Sequence, residues 1–260
     1  MVLVSCVPAT CAASRTNLAP LSFLSLGRHS VVRLTLGADG PPIPATTTAQ
    51  MPPPRRARLK DMPVGDMNLE DLIDMFPNIE PFLIRKWHYA FYTFFDLTGN
   101  NVIEWRDFQT LIDAIGAVRG EDGEEHTAAR HSLTDVWHSM TETMKKDVND
   151  KITLVDWIGM WAESHTGGKE PAWQKAYLDY MFRLFDASGD KLVDLSEYVE
   201  VLGYFSIPRE DAITCFDRFA VSPAGAQFNS IDYGRFMNLW HQYFRSTDIN
   251  DVGNHLLGTV

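Results

Sequence analysis

Four windows of this chain share one register, and that register constrains the fold more than any other feature. Each window is a twelve-residue, mostly polar segment with Ile or Val at position 8: Ile103, Ile152, Val193 and Ile231. Each is followed at position 13 by an aromatic residue: Phe108, Trp157, Tyr198 and Phe236. The copies are spaced 49, 41 and 38 residues apart, so they form an internal repeat rather than one chance match. Apolar faces precede them. Trp87, Phe91 and Phe95 recur every four residues before the first window, and Tyr177, Met181 and Phe185 do so before the third. Alternation of the strand type is nearly absent.

The first window is Asp96–Asp107 and the third Asp186–Glu197. Both fit the EF-hand calcium loop, in which oxygens at positions 1, 3, 5, 9 and 12 and the carbonyl of position 7 converge on one hard cation. The apolar residue at position 8 pairs with the neighbouring loop in a short strand. The expected fold is therefore all-α: four helix-loop-helix units in two pairs, forming a compact globule with short loop–loop β pairing. The units are expected around 87–115, 135–164, 173–203 and 212–244, within a calcium-binding domain spanning 61–260.

The four loops differ in their chemistry. In loop 3, Asp186, Ser188, Asp190, the Leu192 carbonyl, Asp194 and Glu197 fill the ligand positions. Four carboxylates with a long Glu at position 12 favour calcium, which takes six to eight oxygens. Lys191 stands at position 6, where positive φ costs a non-Gly residue about 1 kcal/mol. Loop 1 offers Asp96, Thr98, Asn100, the Val102 carbonyl, Glu104 and Asp107. Its Asp at position 12 is one methylene shorter than Glu, which tilts it toward shared magnesium and calcium occupancy. Loop 2, placed at Lys145–Asp156, has an ammonium where the first oxygen should be. Loop 4, placed at Ala224–Arg235, has Ala, Ala and Phe at positions 1, 3 and 5 and Arg at 12. Its expected role is structural.

Charge agrees with a cation binder. The net charge is -11, with an excess of basic residues confined to residues 1–60. The acidic remainder argues against nucleic acid, whose phosphates it would repel. Residues 1–60 are rich in Ser, Thr, Ala and Pro and read as a disordered or targeting extension; an Arg-bearing, acid-poor stretch leaves a mitochondrial transit peptide open. Three cysteines make no disulfide framework and favour a reducing, cytoplasmic setting. Cys215, beside Phe216, reads as a core thiol. His126 and His131 sit five apart on different helix faces and read as surface or loop residues. No nucleophile–base constellation or phosphate loop is present, so no enzyme is expected.

From about Trp87 onward the chain resembles the calexcitin and invertebrate sarcoplasmic calcium-binding protein family. The resemblance rests on FFDLTGNNVIEWRDF, DWIGMWAE, FDASGDKLVDLSEY, LWHQYF and GNHLLGT, and covers roughly the last 175 residues. The pieces outside the loops are not demanded by calcium binding, so they carry the specificity. The resemblance implies two paired units with an inactive fourth loop, and a cytosolic calcium sensor or buffer, with a protein target if it is a sensor. It implies an active second loop as well, from which Lys145 departs. A monomer is expected. A second reading is a small-molecule-holding protein like the calcium-triggered photoproteins, which share the architecture but keep a working fourth loop.

Overall fold

Asn68 opens the first helix with a reciprocal cap. Its side chain accepts from the Asp71 amide at 3.0 Å, and Asp71 accepts from the Asn68 amide at 3.1 Å. Such a cap is worth about 1 kcal/mol and fixes the start of α1 (Leu69–Met75). The computed structural model describes residues 68–222 and 224–258. The extension expected at 1–60, Cys6, Cys11 and the expected domain start at residue 61 lie outside the described residues.

Eight longer helices carry the rest of the described chain. They are α2 (Pro81–Ala90), α3 (Trp105–Arg119), α4 (Glu124–Thr143), α5 (Leu154–Gly167), α6 (Ala172–Phe185), α7 (Leu195–Tyr204), α8 (Arg209–Phe219) and α9 (Tyr233–Arg245). A π-helical turn, Phe91–Phe95, extends α2, and a short 3-10 turn, Val252–His255, lies in the last described segment. Four short strands complete the fold: β1 (Val102–Ile103), β2 (Ile152–Thr153), β3 (Leu192–Asp194) and β4 (Ser230–Asp232). Among the described residues no helix is long and apolar enough to cross a membrane.

The strands pair as the position-8 anchors require. β1 runs antiparallel to β2 with Ile103 opposite Ile152, and β3 to β4 with Val193 opposite Ile231. Each pair ties two loops back to back, and all four anchors are buried. This is the EF-hand fold.

The core is unusually aromatic. Trp87, Trp137, Trp157, Trp161, Trp173 and Trp240 are all buried. Trp87 stacks on Trp161 with centroids 6.0 Å apart, and Trp161 stacks on Phe244 at 4.6 Å. Trp157 and Trp173 approach each other to 5.7 Å and both meet Phe95. Trp87, Phe91 and Phe95 all belong to this core, as do Tyr177, Met181 and Phe185. Burying one such ring contributes about 2–3 kcal/mol, so the cluster dominates packing.

The final described residues are tied into the same core. Tyr198, the aromatic after loop 3, donates its hydroxyl to the carbonyls of His255 and Leu256 at 3.1 and 2.9 Å. The Lys86 ammonium, fully buried in α2, donates to Ser246 O at 2.7 Å and Asn254 Oδ1 at 2.8 Å. Gly253 must be glycine here, because a Cβ would lie 2.6 Å from the Leu239 carbonyl.

Two expectations need correction. His126 is buried in α4, not at the surface: its ring packs on Gly116 of α3, bonds the Glu121 carbonyl and meets Arg130 Nη2 at 3.3 Å. The missing side chain of Gly116 makes the room. Loop 4 does not begin at Ala224. Helix α8 ends at Phe219, and Ala220 takes φ -81, ψ 51, close to Asp96 (-81, 68) and Asp186 (-77, 70). The loop thus starts four residues earlier than its exit anchor alone implies.

Candidate metal centre

Loops 1 and 3 share one hydrogen-bond scheme. The position-12 carboxylate turns inward and bridges the amides of positions 3 and 9. In loop 1, Asp107 Oδ1 accepts from Thr98 N and Oδ2 from Glu104 N, both at 2.8 Å. In loop 3, Glu197 Oε1 accepts from Ser188 N at 2.9 Å and Oε2 from Asp194 N at 3.0 Å. The position-1 carboxylate accepts from position 6: Asn101 N to Asp96 at 3.0 Å, Lys191 N to Asp186 at 3.2 Å. The position-5 oxygen accepts from position 7: Val102 N to Asn100 at 3.2 Å, Leu192 N to Asp190 at 2.8 Å. Position 6 has positive φ in both, 65° at Asn101 and 67° at Lys191, as the loop requires. Asp194 also caps α7 by accepting from Glu197 N at 2.9 Å.

These bonds fix the carboxylates at positions 1 and 12 and the oxygen at position 5 of each loop, although among the described residues no three or more His, Cys, Asp or Glu side chains stand together as a metal-holding group. Asp186 Oδ1 is the telling atom. It is buried and has no hydrogen-bond partner within the protein, which a carboxylate oxygen tolerates at a cost of about 1–3 kcal/mol unless a cation meets it. The expected ligand positions of loop 3 offer oxygen only, which suits a hard divalent ion.

The two loops differ in depth. Asp96 and Asp107 are buried at 4% and 1% exposure, whereas Ser188, Asp190 and Asp194 are exposed. Burial raises both loop 1 carboxylates above the usual range. Amides of Asn101 and Asn100 act against this at Asp96, and those of Glu104 and Thr98 at Asp107. Asp107 also adds its charge to Asp96. A divalent cation would relieve that repulsion. The fit of loop 1 to a divalent ion rests on this crowding, that of loop 3 on its oxygen count.

Loops 2 and 4 are built differently. In loop 2, Lys145 at position 1 adopts φ 55, and Lys146 N bonds back to Thr141 O at 2.9 Å, so α4 ends in a reversal. In loop 4 the Arg235 guanidinium at position 12 donates to Phe219 O at 3.0 Å and Val221 O at 3.2 Å. The repeated Phe-Asp of 95–96 and 185–186, matched by Phe219-Ala220, is the sequence signal that marks where loop 4 begins.

No family model matches the chain. Over 198 residues, 76% of this chain and 97% of the relative, it is 30% identical to Calexcitin-1 of Caenorhabditis elegans. That alignment is longer than the stretch its motifs alone suggest. Over 186 residues, 69% of this chain and 98% of the relative, it is 24% identical to sarcoplasmic calcium-binding proteins I, III and IV of Branchiostoma lanceolatum. Among solved structures, a sarcoplasmic calcium-binding protein from amphioxus matches with a TM-score of 0.58 at 22% identity, covering 69% of this chain and 97% of that one. The structural likeness shows the fold.

Proposed function

The chain belongs to the calexcitin and sarcoplasmic calcium-binding protein family, and from that premise we propose that it is a cytoplasmic calcium sensor or buffer. Loop 3 is the principal site: Asp186, Ser188, Asp190, Leu192, Asp194 and Glu197 hold the ion. Loop 1 is the second: Asp96, Thr98, Asn100, Val102, Glu104 and Asp107 hold calcium or, given the short Asp107, magnesium. Loop 4 binds no metal. The observation that carries this reading is the inward position-12 carboxylate common to both loops, beside the unpartnered Asp186 Oδ1 of loop 3. No catalytic role is assigned.

The chain's own residues do three things at these sites. They present oxygens of fixed spacing, they hold the loops in pairs through Ile103–Ile152 and Val193–Ile231, and they pass loop 3 geometry to the chain's last turn through Tyr198. A bound ion would supply charge opposite to the loop carboxylates.

The luciferin-holding reading is not favoured. Neighbouring indoles among Trp87, Trp157, Trp161 and Trp173 lie 5.7–6.0 Å apart, and all four are buried.

Calorimetric calcium titration of the full chain, with and without millimolar magnesium, tests the proposal. Two sites are expected, one of them filled by magnesium. Absence of calcium binding would overturn it. A large, magnesium-resistant tryptophan change would mark a sensor, and little optical change a buffer.

A further inference from the structure

Each loop pair sets one inward carboxylate beside a partner loop that carries a basic side chain of its own. We propose that Lys146 is the resident cation of loop 2: its ammonium, held on Asp156, takes the part of a metal ion and shuts that loop to calcium.

Loop 2 departs from the others at the end of α4. In loops 1 and 3 the entering helix runs directly into a position-1 residue with negative φ and ψ near 70° (68° at Asp96, 70° at Asp186). In loop 2 the left-handed turn at Lys145 swings the chain so that Lys146, not Lys145, meets the position-12 carboxylate. Its Nζ lies 3.0 Å from Asp156 Oδ2, with the two side chains 23% and 34% exposed. Asp156 is the position-12 carboxylate, the counterpart of Asp107 and Glu197. The same Oδ2 accepts from Thr153 N at 2.9 Å and Thr153 Oγ1 at 2.7 Å. The position-9 amide is therefore bonded as in loops 1 and 3.

The position-3 amide is not. Asp147 N, which would meet the position-12 carboxylate in a metal loop, instead donates to Asp150 Oδ2 at 2.8 Å. Lys146 instead joins Thr153 on Asp156 Oδ2, so the carboxylate is held by an ammonium and position 9 rather than by the amides of positions 3 and 9. A fixed ammonium at that carboxylate repels a second cation at close range and uses the oxygen the ion would need. Loop 4 supplies an independent parallel, with the Arg235 guanidinium on the carbonyls of Phe219, the last residue of α8, and Val221. In both pairs one loop is stabilised by a built-in cation, and its β partner is held in register without metal.

Closure of loop 2 to calcium rests on the functional reading above, whereas the Lys146–Asp156 brace stands on loop 2 alone. The remaining ligand positions of that loop, Asp147, Asn149, the Lys151 carbonyl, Thr153 and Asp156, are otherwise suitable. Lys145, at position 1, is therefore one of two obstacles, and Lys146 on Asp156 is the other.

Three variants of the full chain test this: Lys145→Asp, Lys146→Gln and the two combined. Calcium stoichiometry by calorimetry and melting temperature in chelator are read for each. Lys145→Asp alone should leave the stoichiometry of the parent. The combined variant should gain one calcium. Lys146→Gln alone should gain none and lower the metal-free melting temperature by about 2–4 °C, and Lys146→Arg should restore it. A new site in Lys145→Asp alone would overturn the proposal, as would no new site in the folded combined variant. An unchanged melting temperature in Lys146→Gln would also overturn it, and this readout stands even if the combined variant does not fold. A parent protein that binds no calcium would sink the functional reading while leaving the melting test of Lys146 intact.

Discussion

The ammonium of Lys151 stands 3.3 Å from a carboxylate oxygen of Glu104, joining position 7 of loop 2 to position 9 of loop 1. The lysine is 60% exposed, so water screens much of its charge. It still opposes a divalent ion entering loop 1. Lys151→Ala should raise calcium affinity at that loop about two- to fivefold. The gain should fade at high salt, because the Debye length shrinks to about 3 Å at 1 M. Calorimetry at two ionic strengths measures both effects. A gain that ignores salt would contradict a charge mechanism.

Glu197 braces Ser188 N and Asp194 N and offers the longest acid at position 12 in either loop. Glu197→Gln keeps the size but removes the charge. Loss of a charged ligand weakens a site by on the order of tenfold or more. Calcium titration should show the tighter site gone and the weaker one kept. Unchanged stoichiometry and affinity would refute the assignment of loop 3.

Asp107 meets a cavity of about 10 Å³ that is also lined by Phe94, Phe95, Leu97, Phe108, Leu111 and Tyr177. That is room for roughly one water, so Asp107→Glu adds its methylene without displacing the aromatic core. The longer side chain makes bidentate capture easier, which calcium uses and magnesium does not. The expected result is a higher ratio of calcium to magnesium affinity at loop 1. Competition titrations give that ratio directly; a fall would show that the short acid is not what admits magnesium.

Burial pulls Lys86 down from 10.5 to about 8, with the Asp251 charge acting the other way. Between those values the unfolded chain holds more protons than the folded one. The contribution of Lys86 to stability therefore rises with pH across about 8 to 10.5, and is flat below. Lys86→Met has no such titration. The melting-temperature difference, parent minus variant, should grow over that window. A constant difference would mean that Lys86 titrates normally.

A metal loop is a local object, and for that reason it is readable from its residues. Twelve positions set the dihedrals, the oxygens and the strand anchor, so loops 1 and 3 were legible down to the positive φ at Asn101 and Lys191. Features that depend on a partner element were not. The start of loop 4 is set by where α8 ends, and Ala220 carries no ligand oxygen to mark it. His126 is buried only because α3 offers Gly116 opposite its ring. Lys146 carries no ligand signal in the sequence; the reversal of α4 is what aims it at Asp156, ten residues on. Placement of the aromatic core followed from four-residue spacing, but which ring meets which did not.

Loops 1 and 3 are entered by threads of different pitch. Asp186 N closes on Phe182 O, four residues back, whereas Asp96 N closes on Phe91 O, five back. The turn before loop 1 is thus wound one residue loose. Taking up that slack would rotate Asp96 by about 100° around the helix axis, the angle of one α-helical residue. Whatever holds Asp96 in place therefore also holds the thread unwound. Loop 1 thus hangs on a π-turn continuous with the helix whose Trp87 stacks in the core, while loop 3 follows a regular α-helical turn.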